Sequence, residues 1–146
     1  MALDRPKTTK SIKKRFTIYA DGCSRGNPGP SAIGAVILDG SGAVVGKISE
    51  SIGKATNNQA EYRALLAGLE LAAKLGAKYV EIKLDSELVV RQIKSEYRVK
   101  NPELRCLLDK VSQLLQRFAS VNISHITHEQ NKMAHDLANQ AIRSSY

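Results

Sequence analysis

Asn57-Asn58-Gln59-Ala60-Glu61-Tyr62-Arg63-Ala64 runs into Leu65, Leu66, Leu69, Leu71, Ala72, Ala73 and Leu75, and stops at Gly76. Apolar side chains recurring at helical spacing predict one long helix over residues 58–75. Gly76 suits the residue just past its end. Glu61 falls in the first turn, where a charge has two readings. It can complete a capping box with Asn58 at the cap, or it can be one of several carboxylates that meet in space. The segments on either side of this helix decide the fold.

Upstream, Phe16, Ile18 and Ala20 alternate with Thr17, Tyr19 and Asp21, which predicts a strand over residues 16–21. It ends in Asp21-Gly22 and the turn-rich run Ser24-Arg25-Gly26-Asn27-Pro28-Gly29-Pro30. Ser31 to Leu38 reads as a second strand, Asp39-Gly40-Ser41-Gly42 as a hairpin turn, and Val44 to Ile52 as a third strand. Three consecutive strands make an antiparallel meander.

Downstream, strands alternate with helices. Tyr79 to Leu84 is a fourth strand, and Asp85-Ser86 opens a helix through Leu88, Val89, Val90 and Ile93. Pro102, a residue suited to the first helical position, opens another helix to about Phe118. Leu104, Leu107, Leu108, Val111, Leu114 and Leu115 lie on its apolar side. Val121 to Ile126 is a fifth strand, and a last helix starts near Glu129 or Gln130. The order βββαβααβα predicts an α/β fold, a five-stranded mixed sheet flanked by helices.

The 146 residues suffice for one domain with its own core. Cys23 and Cys106 are far apart, with no metal-ligand spacing, which suggests a reducing, cytoplasmic setting. No apolar run is long enough to span a bilayer, and no obligatory protein partner is expected of what reads as a monomer. The net charge of +8 is uneven, because residues 1–15 carry six basic groups against Asp4. That basic tail is expected to be flexible, serving either phosphate attraction or solubility. Residues 16–146 form the domain.

Asp21 ends the first strand, Asp85 ends the fourth and Glu61 opens the first helix. Each alone can be a turn or cap acid. Together they are three carboxylates at the ends of regular elements, none with a basic residue directly beside it in sequence. Parallel strands joined through helices bring such ends to one edge of a sheet. A cluster of that kind repels itself unless a hard cation such as Mg²⁺ sits in it.

Asp21-Gly22 followed by Gly26-Asn27-Pro28-Gly29, then Thr56 through Glu61, Asp85-Ser86 and Asn131 through Asn139 resemble type 1 ribonuclease H over residues 16–143. The resemblance implies a ribonuclease H-like fold. It also implies a metal-dependent endoribonuclease that hydrolyses the RNA strand of RNA–DNA hybrids to 5′-phosphate and 3′-hydroxyl ends. It implies that Asp21, Glu61 and Asp85 hold two Mg²⁺ ions, with Mn²⁺ as a possible or preferred substitute. Cys23, Ser24, Asn27, Asn57, Asn58, Gln59 and Ser86 would contact the ribonucleotides, and Thr56 a DNA phosphate. A basic, Trp-containing protrusion common among relatives has no counterpart in the short stretch Arg91 to Arg105.

The chain departs from the pattern at a fourth acidic position. Anchored on Asn131, Ala134, Leu137 and Ala138, that position is His135. Asp136, the alternative, lies nearly opposite the apolar face at about 100° per residue. His135 is expected in the site, either as a metal ligand better suited to Mn²⁺ than to Mg²⁺ or holding the attacking water. His128 has two readings, assistance to water or product, and a solvated loop histidine. His125 is expected to pack at its strand's end. The competing functions are a catalytically impaired module that binds hybrid or structured RNA, and a related nuclease acting on another structured RNA.

Overall fold

The computed structural model describes residues 14–146. The basic tail expected over residues 1–15 lies outside them except for Lys14 and Arg15, and Arg15 opens the first strand. The strands are β1 (Arg15–Ser24), β2 (Gly29–Leu38), β3 (Val44–Ala55), β4 (Tyr79–Leu84) and β5 (Ser120–His125). The helices are α1 (Asn57–Lys74), α2 (Glu87–Ile93), α3 (Pro102–Leu115) and α4 (Lys132–Ser145), the last entered through a 3₁₀ turn at Glu129–Asn131.

The sheet order is β3-β2-β1-β4-β5. β1 pairs antiparallel with β2 and parallel with β4, so it is the centre on which the meander and the alternating half join. The meander strands run further than expected, with β1 continuing to Ser24 and β2 starting at Gly29, because pairing persists out to Ser24↔Ser31.

Alternation along β1 sends Phe16, Ile18 and Ala20 into the main core, beneath Tyr62, Leu65 and Leu69 of α1. Truncating either fully buried leucine to alanine costs about 2–5 kcal/mol. Inside this layer Tyr62 donates its hydroxyl to Gln92 Oε1 at 2.7 Å, so its polar tip has a partner.

α3 packs on α1 rather than on the sheet. All six residues of the expected buried side face the core: Val111 and Leu114 are buried, and Leu104, Leu107, Leu108 and Leu115 pack against it partly covered. The expectation for His125 is corrected. It ends the edge strand β5 exposed, beyond the last buried position at Ile123.

α4 covers the opposite face, against β2, β1 and β3. Its buried residues are Ala134, Ala138, Ala141 and Ile142, and the three alanines let the helix backbone lie close to the strands. Gly34 of β2 makes this possible, since a Cβ there would stand 2.1 Å from the Ala134 carbonyl oxygen. Gly34 pairs with Asp21 across the ladder, so this close approach also sets how near α4 comes to the end of β1.

Gly34→Ala is therefore expected to lose roughly 3 kcal/mol, the upper range for forcing a methyl group into packed backbone. Urea unfolding of the variant against the parent measures this, and a loss under 1 kcal/mol would show that α4 shifts freely.

Candidate active site

The site forms where β1 and β4 end side by side. The register pairs Ala20 with Leu84, which leaves Asp21 and Asp85 as the next residues on neighbouring parallel strands. Glu61 arrives from the α1 side. Its Oε1 accepts the Gly22 N–H at 3.1 Å. A Cβ on Gly22 would lie 2.2 Å from the Ala60 carbonyl carbon, so only glycine lets the first turn of α1 rest on β1 there.

The capping expectation is corrected. Thr56 is the N-cap, its Oγ1 accepting from Gln59 N at 3.1 Å while Gln59 Oε1 accepts from Thr56 N at 2.9 Å. The box sits two residues before the expected one. Glu61 is thereby released from capping and reaches the strand end.

Asp21, Glu61 and Asp85 each present an oxygen within 4.8 Å of the others. Asp21 and Glu61 are buried, at 4% and 9% exposure. Glu61 Oε2 is buried with no hydrogen-bond partner. Burial first, then hydrogen bonding and repulsion from Asp21, hold the Glu61 carboxyl well above its ordinary range, against the Gly22 N–H. Asp85 is raised too, by burial and then by Asp21, with His128 opposing. A buried oxygen without a partner, in a cluster that resists ionising, is the signature of carboxylates arranged to take a hard cation. The residues fit divalent ions held by Asp21, Glu61 and Asp85.

The three carboxylates open into a cleft of about 410 Å³, also lined by Gly22, Cys23, Ser24, Asn57, Asn58, Ser86, His128 and His135. No lysine or arginine lines it among the described residues. His135 Nδ1 stands 2.8 Å from Asp21 Oδ2, and His128 Nδ1 stands 3.2 Å from Asp85 Oδ2. The two rings meet edge to face with centroids 4.5 Å apart. Asp136 lies outside the cleft and pairs with Lys132 at 3.0 Å.

Several other expected site residues are engaged in local structure. Ser24 Oγ donates to the Ala55 carbonyl at 3.0 Å, and Ser86 Oγ accepts from Val89 N at 3.3 Å as the cap of α2. Asn27, Thr56 and Gln59 do not line the cleft. Asn27 Oδ1 accepts the Asn57 N–H at 3.0 Å, and Gln59 Nε2 donates to the Glu103 carboxylate. Burial, with Asp21 and Glu61 nearby, pushes the Cys23 thiol up to about 11, so it stays protonated at neutral pH.

Two residues were not singled out for the site from sequence. Asn131, fully buried, donates its amide to the Ala20 carbonyl at 2.9 Å and ties the start of α4 to β1 one residue before Asp21. Asn139 touches His135 from the next turn of α4. Both bound the stretch Asn131 through Asn139 that carries the resemblance, but nothing in the sequence assigns either of them a contact at the site.

A central strand flanked by an antiparallel meander and a parallel half, with carboxylates gathered at its end, defines a ribonuclease H-like protein. A family model described as reverse transcriptase-like matches residues 19–141. The chain is 43% identical over 128 residues to a ribonuclease HI of Halobacterium salinarum, covering 88% of this chain and 64% of that protein. It spans only 35% of the length of matched mycobacterial relatives. The crystal structure of the RNase H1 of Halobacterium salinarum superposes with a TM-score of 0.88 at 42% identity, covering 90% of this chain and 99% of that one. LC11-RNase H1, solved in complex with an RNA/DNA hybrid, superposes at 0.84 with 40% identity, covering 89% of this chain and 98% of that one. The chain belongs to the type 1 ribonuclease H family.

The raised Glu61 carboxyl fixes the sign of a pH effect. Its folded value exceeds the ordinary 4.5, so its contribution to stability is present below that pH and is lost as pH rises above it. Glu61→Gln keeps an acceptor for Gly22 and removes the charge. In the absence of divalent ions it is expected to melt roughly 2–4 °C above the parent at pH 8, the shift that about 1 kcal/mol gives in a domain of this size. The gap closes near pH 4.5, the ordinary value of the carboxyl. Thermal melts of both proteins across that range check it. Mg²⁺ should raise the melting temperature of the parent more than that of the variant.

Proposed function

We propose that the chain is a metal-dependent endoribonuclease that hydrolyses the RNA strand of RNA–DNA hybrids, leaving 5′-phosphate and 3′-hydroxyl ends. The observation that carries this reading is the trio Asp21, Glu61 and Asp85, with ligand oxygens within 4.8 Å and a buried Glu61 oxygen left without a partner. The hybrid-bound relative supports the substrate class.

The trio would hold two Mg²⁺ ions, or Mn²⁺ in their place. Bound there, the ions would lower the pKa of the attacking water and stabilise the departing 3′ oxygen. Asp21, the most enclosed of the three carboxylates, sits between the other two elements and tolerates replacement least. His135, hydrogen-bonded to Asp21, is placed to hold the Asp21 carboxylate at the cleft. His128, 62% exposed by side chain, stands at the mouth, where it can meet the scissile phosphate or the product.

Recognition of RNA requires contacts to 2′-hydroxyls. Asn57 and Asn58 line the cleft with amides that donate and accept together, and Cys23, Ser24 and Ser86 line it beside them. Asn27 and Thr56 stand outside the cleft lining, and Gln59 lines a separate depression of about 310 Å³ together with Lys54 and Arg63. The link between α2 and α3 supplies Lys94, Arg98 and Lys100, and the chain has no tryptophan. Hybrid binding without a basic protrusion is accordingly expected to be weak and salt-sensitive.

A labelled RNA–DNA hybrid incubated with Mg²⁺, then with Mn²⁺, tests the reading. Cleavage of the RNA strand is expected, and Asp21→Asn should lower it on the order of 10³-fold, the several kcal/mol that metal-held charge supplies. Tight binding with no cleavage in either metal would select the impaired binding module instead. In the same assay His135→Asp should lower the Mn²⁺/Mg²⁺ rate ratio, because a carboxylate offers the harder ion another oxygen. An unchanged ratio would show that position to be indifferent to the metal.

A further inference from the structure

Asn139 is not among the residues that the nuclease reading uses, yet its side chain joins two that line the cleft. It lies one turn beyond His135 on α4, on the same face. Asn139 Nδ2 is 2.7 Å from His135 Nε2, and Asn139 Oδ1 is 3.9 Å from Cys23 Sγ. His135 Nδ1 is 2.8 Å from Asp21 Oδ2.

These contacts form a directed chain. An amide nitrogen only donates, so the ring nitrogen facing it must offer a lone pair. A neutral imidazole has one N–H, and with Nε2 accepting, that hydrogen sits on Nδ1 and points at Asp21. The Cys23 thiol faces Asn139 Oδ1 with an S–H to give, which favours this amide orientation over the flipped one. A flipped amide would trade the thiol's hydrogen bond to Oδ1 for N–H groups facing sulfur, a weak acceptor.

We propose that Asn139 is a positioning residue that fixes His135 in the Nδ1–H tautomer, making the imidazole a hydrogen-bond donor to Asp21 rather than a metal ligand. The proposal rests on the nuclease reading for its catalytic consequence, and not for the tautomer itself. Donation from His135 holds one Asp21 oxygen, which orients the carboxylate and leaves its other oxygen directed at the cluster. The ring adds no fixed charge to compete with a cation. In the opposite tautomer a lone pair would face the Asp21 carboxylate at 2.8 Å, and the pair would separate. Losing the outer partner of a metal-holding carboxylate, the part His135 plays for Asp21, typically costs about 10–100-fold in metal affinity or activity.

Long-range ¹H–¹⁵N correlation spectra of the histidine side chains in the whole chain, without divalent ions, read the tautomer directly. The parent should show His135 protonated at Nδ1 and bare at Nε2. Asn139→Asp places a carboxylate opposite Nε2 and should put a proton on that nitrogen, so that the ring no longer shows the Nδ1–H tautomer alone. With it, kcat on a labelled hybrid should fall about 10–100-fold while KM stays within about twofold. Asn139→Ala should give mixed tautomers and an intermediate kcat.

A parent with the proton on Nε2, or on both nitrogens, overturns the assignment, and that spectrum decides alone where a variant does not fold. So does a folded Asn139→Asp that leaves tautomer and kcat unchanged. A parent that shows the Nδ1–H signal but cleaves no hybrid supports the Asn139 assignment and counts against the nuclease reading.

Discussion

Everything at the centre of this protein depends on the contact between the first turn of α1 and the end of β1 at Gly22. The missing side chain lets the Ala60 backbone lie where a Cβ would otherwise stand. The Gly22 N–H then meets Glu61 Oε1. That bond is short in reach and fixed in direction, so it carries Glu61 to the edge where Asp21 and Asp85 already lie side by side. The neighbouring carboxylates come from adjacent parallel strands, and the third from a helix on one face. The histidine beside them comes from the helix on the other. No single segment of the chain could supply such a group.

The cost of this gathering is electrostatic. Three carboxylates with oxygens within 4.8 Å, two of them buried, cannot all ionise freely, and the raised Glu61 and Asp85 carboxyls express it. The surrounding packing tolerates the strain. On one side α1 buries Tyr62, Leu65 and Leu69 against the sheet immediately after Glu61. On the other, α4 presses Ala134 and Ala138 onto Gly34 and lodges Asn131 against Ala20. The apolar layers on the two faces hold the acids in place from both directions, so the repulsion raises the proton affinity of Glu61 and Asp85 instead of spreading the strands.

Most of the architecture was legible because alternation and helical periodicity report burial, and burial is what the sheet and helices are made from. β4 was readable to the residue, and the acidic trio was readable because each member sits at an element's end. The capping frame was not. Thr56-x-x-Gln59 and Asn58-x-x-Glu61 are equally good boxes as sequence, and the choice depends on Glu61 being drawn to Gly22, a contact 39 residues away along the chain. Likewise His125 continues an apolar alternation, but burial there needs a covering element, and edge strand β5 has none at its end. The partial exposure of α3 has the same origin, since a helix packed on another helix buries a narrower stripe than one lying on a sheet. Asn139 closes a stretch that carries the resemblance, yet its role was not legible, for a different reason. A polar residue on a helix has no periodic signal, and its importance comes only from the two side chains it happens to join.

The absence of lysine and arginine from the lining of the cleft completes the physical logic. A permanent positive charge beside Asp21 would neutralise the cluster and relieve the repulsion, and with it the affinity for a divalent cation. Imidazole avoids this, because it can donate a hydrogen bond without carrying a fixed charge. His135 does so from a partly covered position, whereas His128, with most of its side chain in solvent, can offer Asp85 only a screened contact. The site therefore keeps its carboxylates oriented while leaving their charge unspent. His135 beside Asp21 preserves that balance in a way that an arginine or lysine would not.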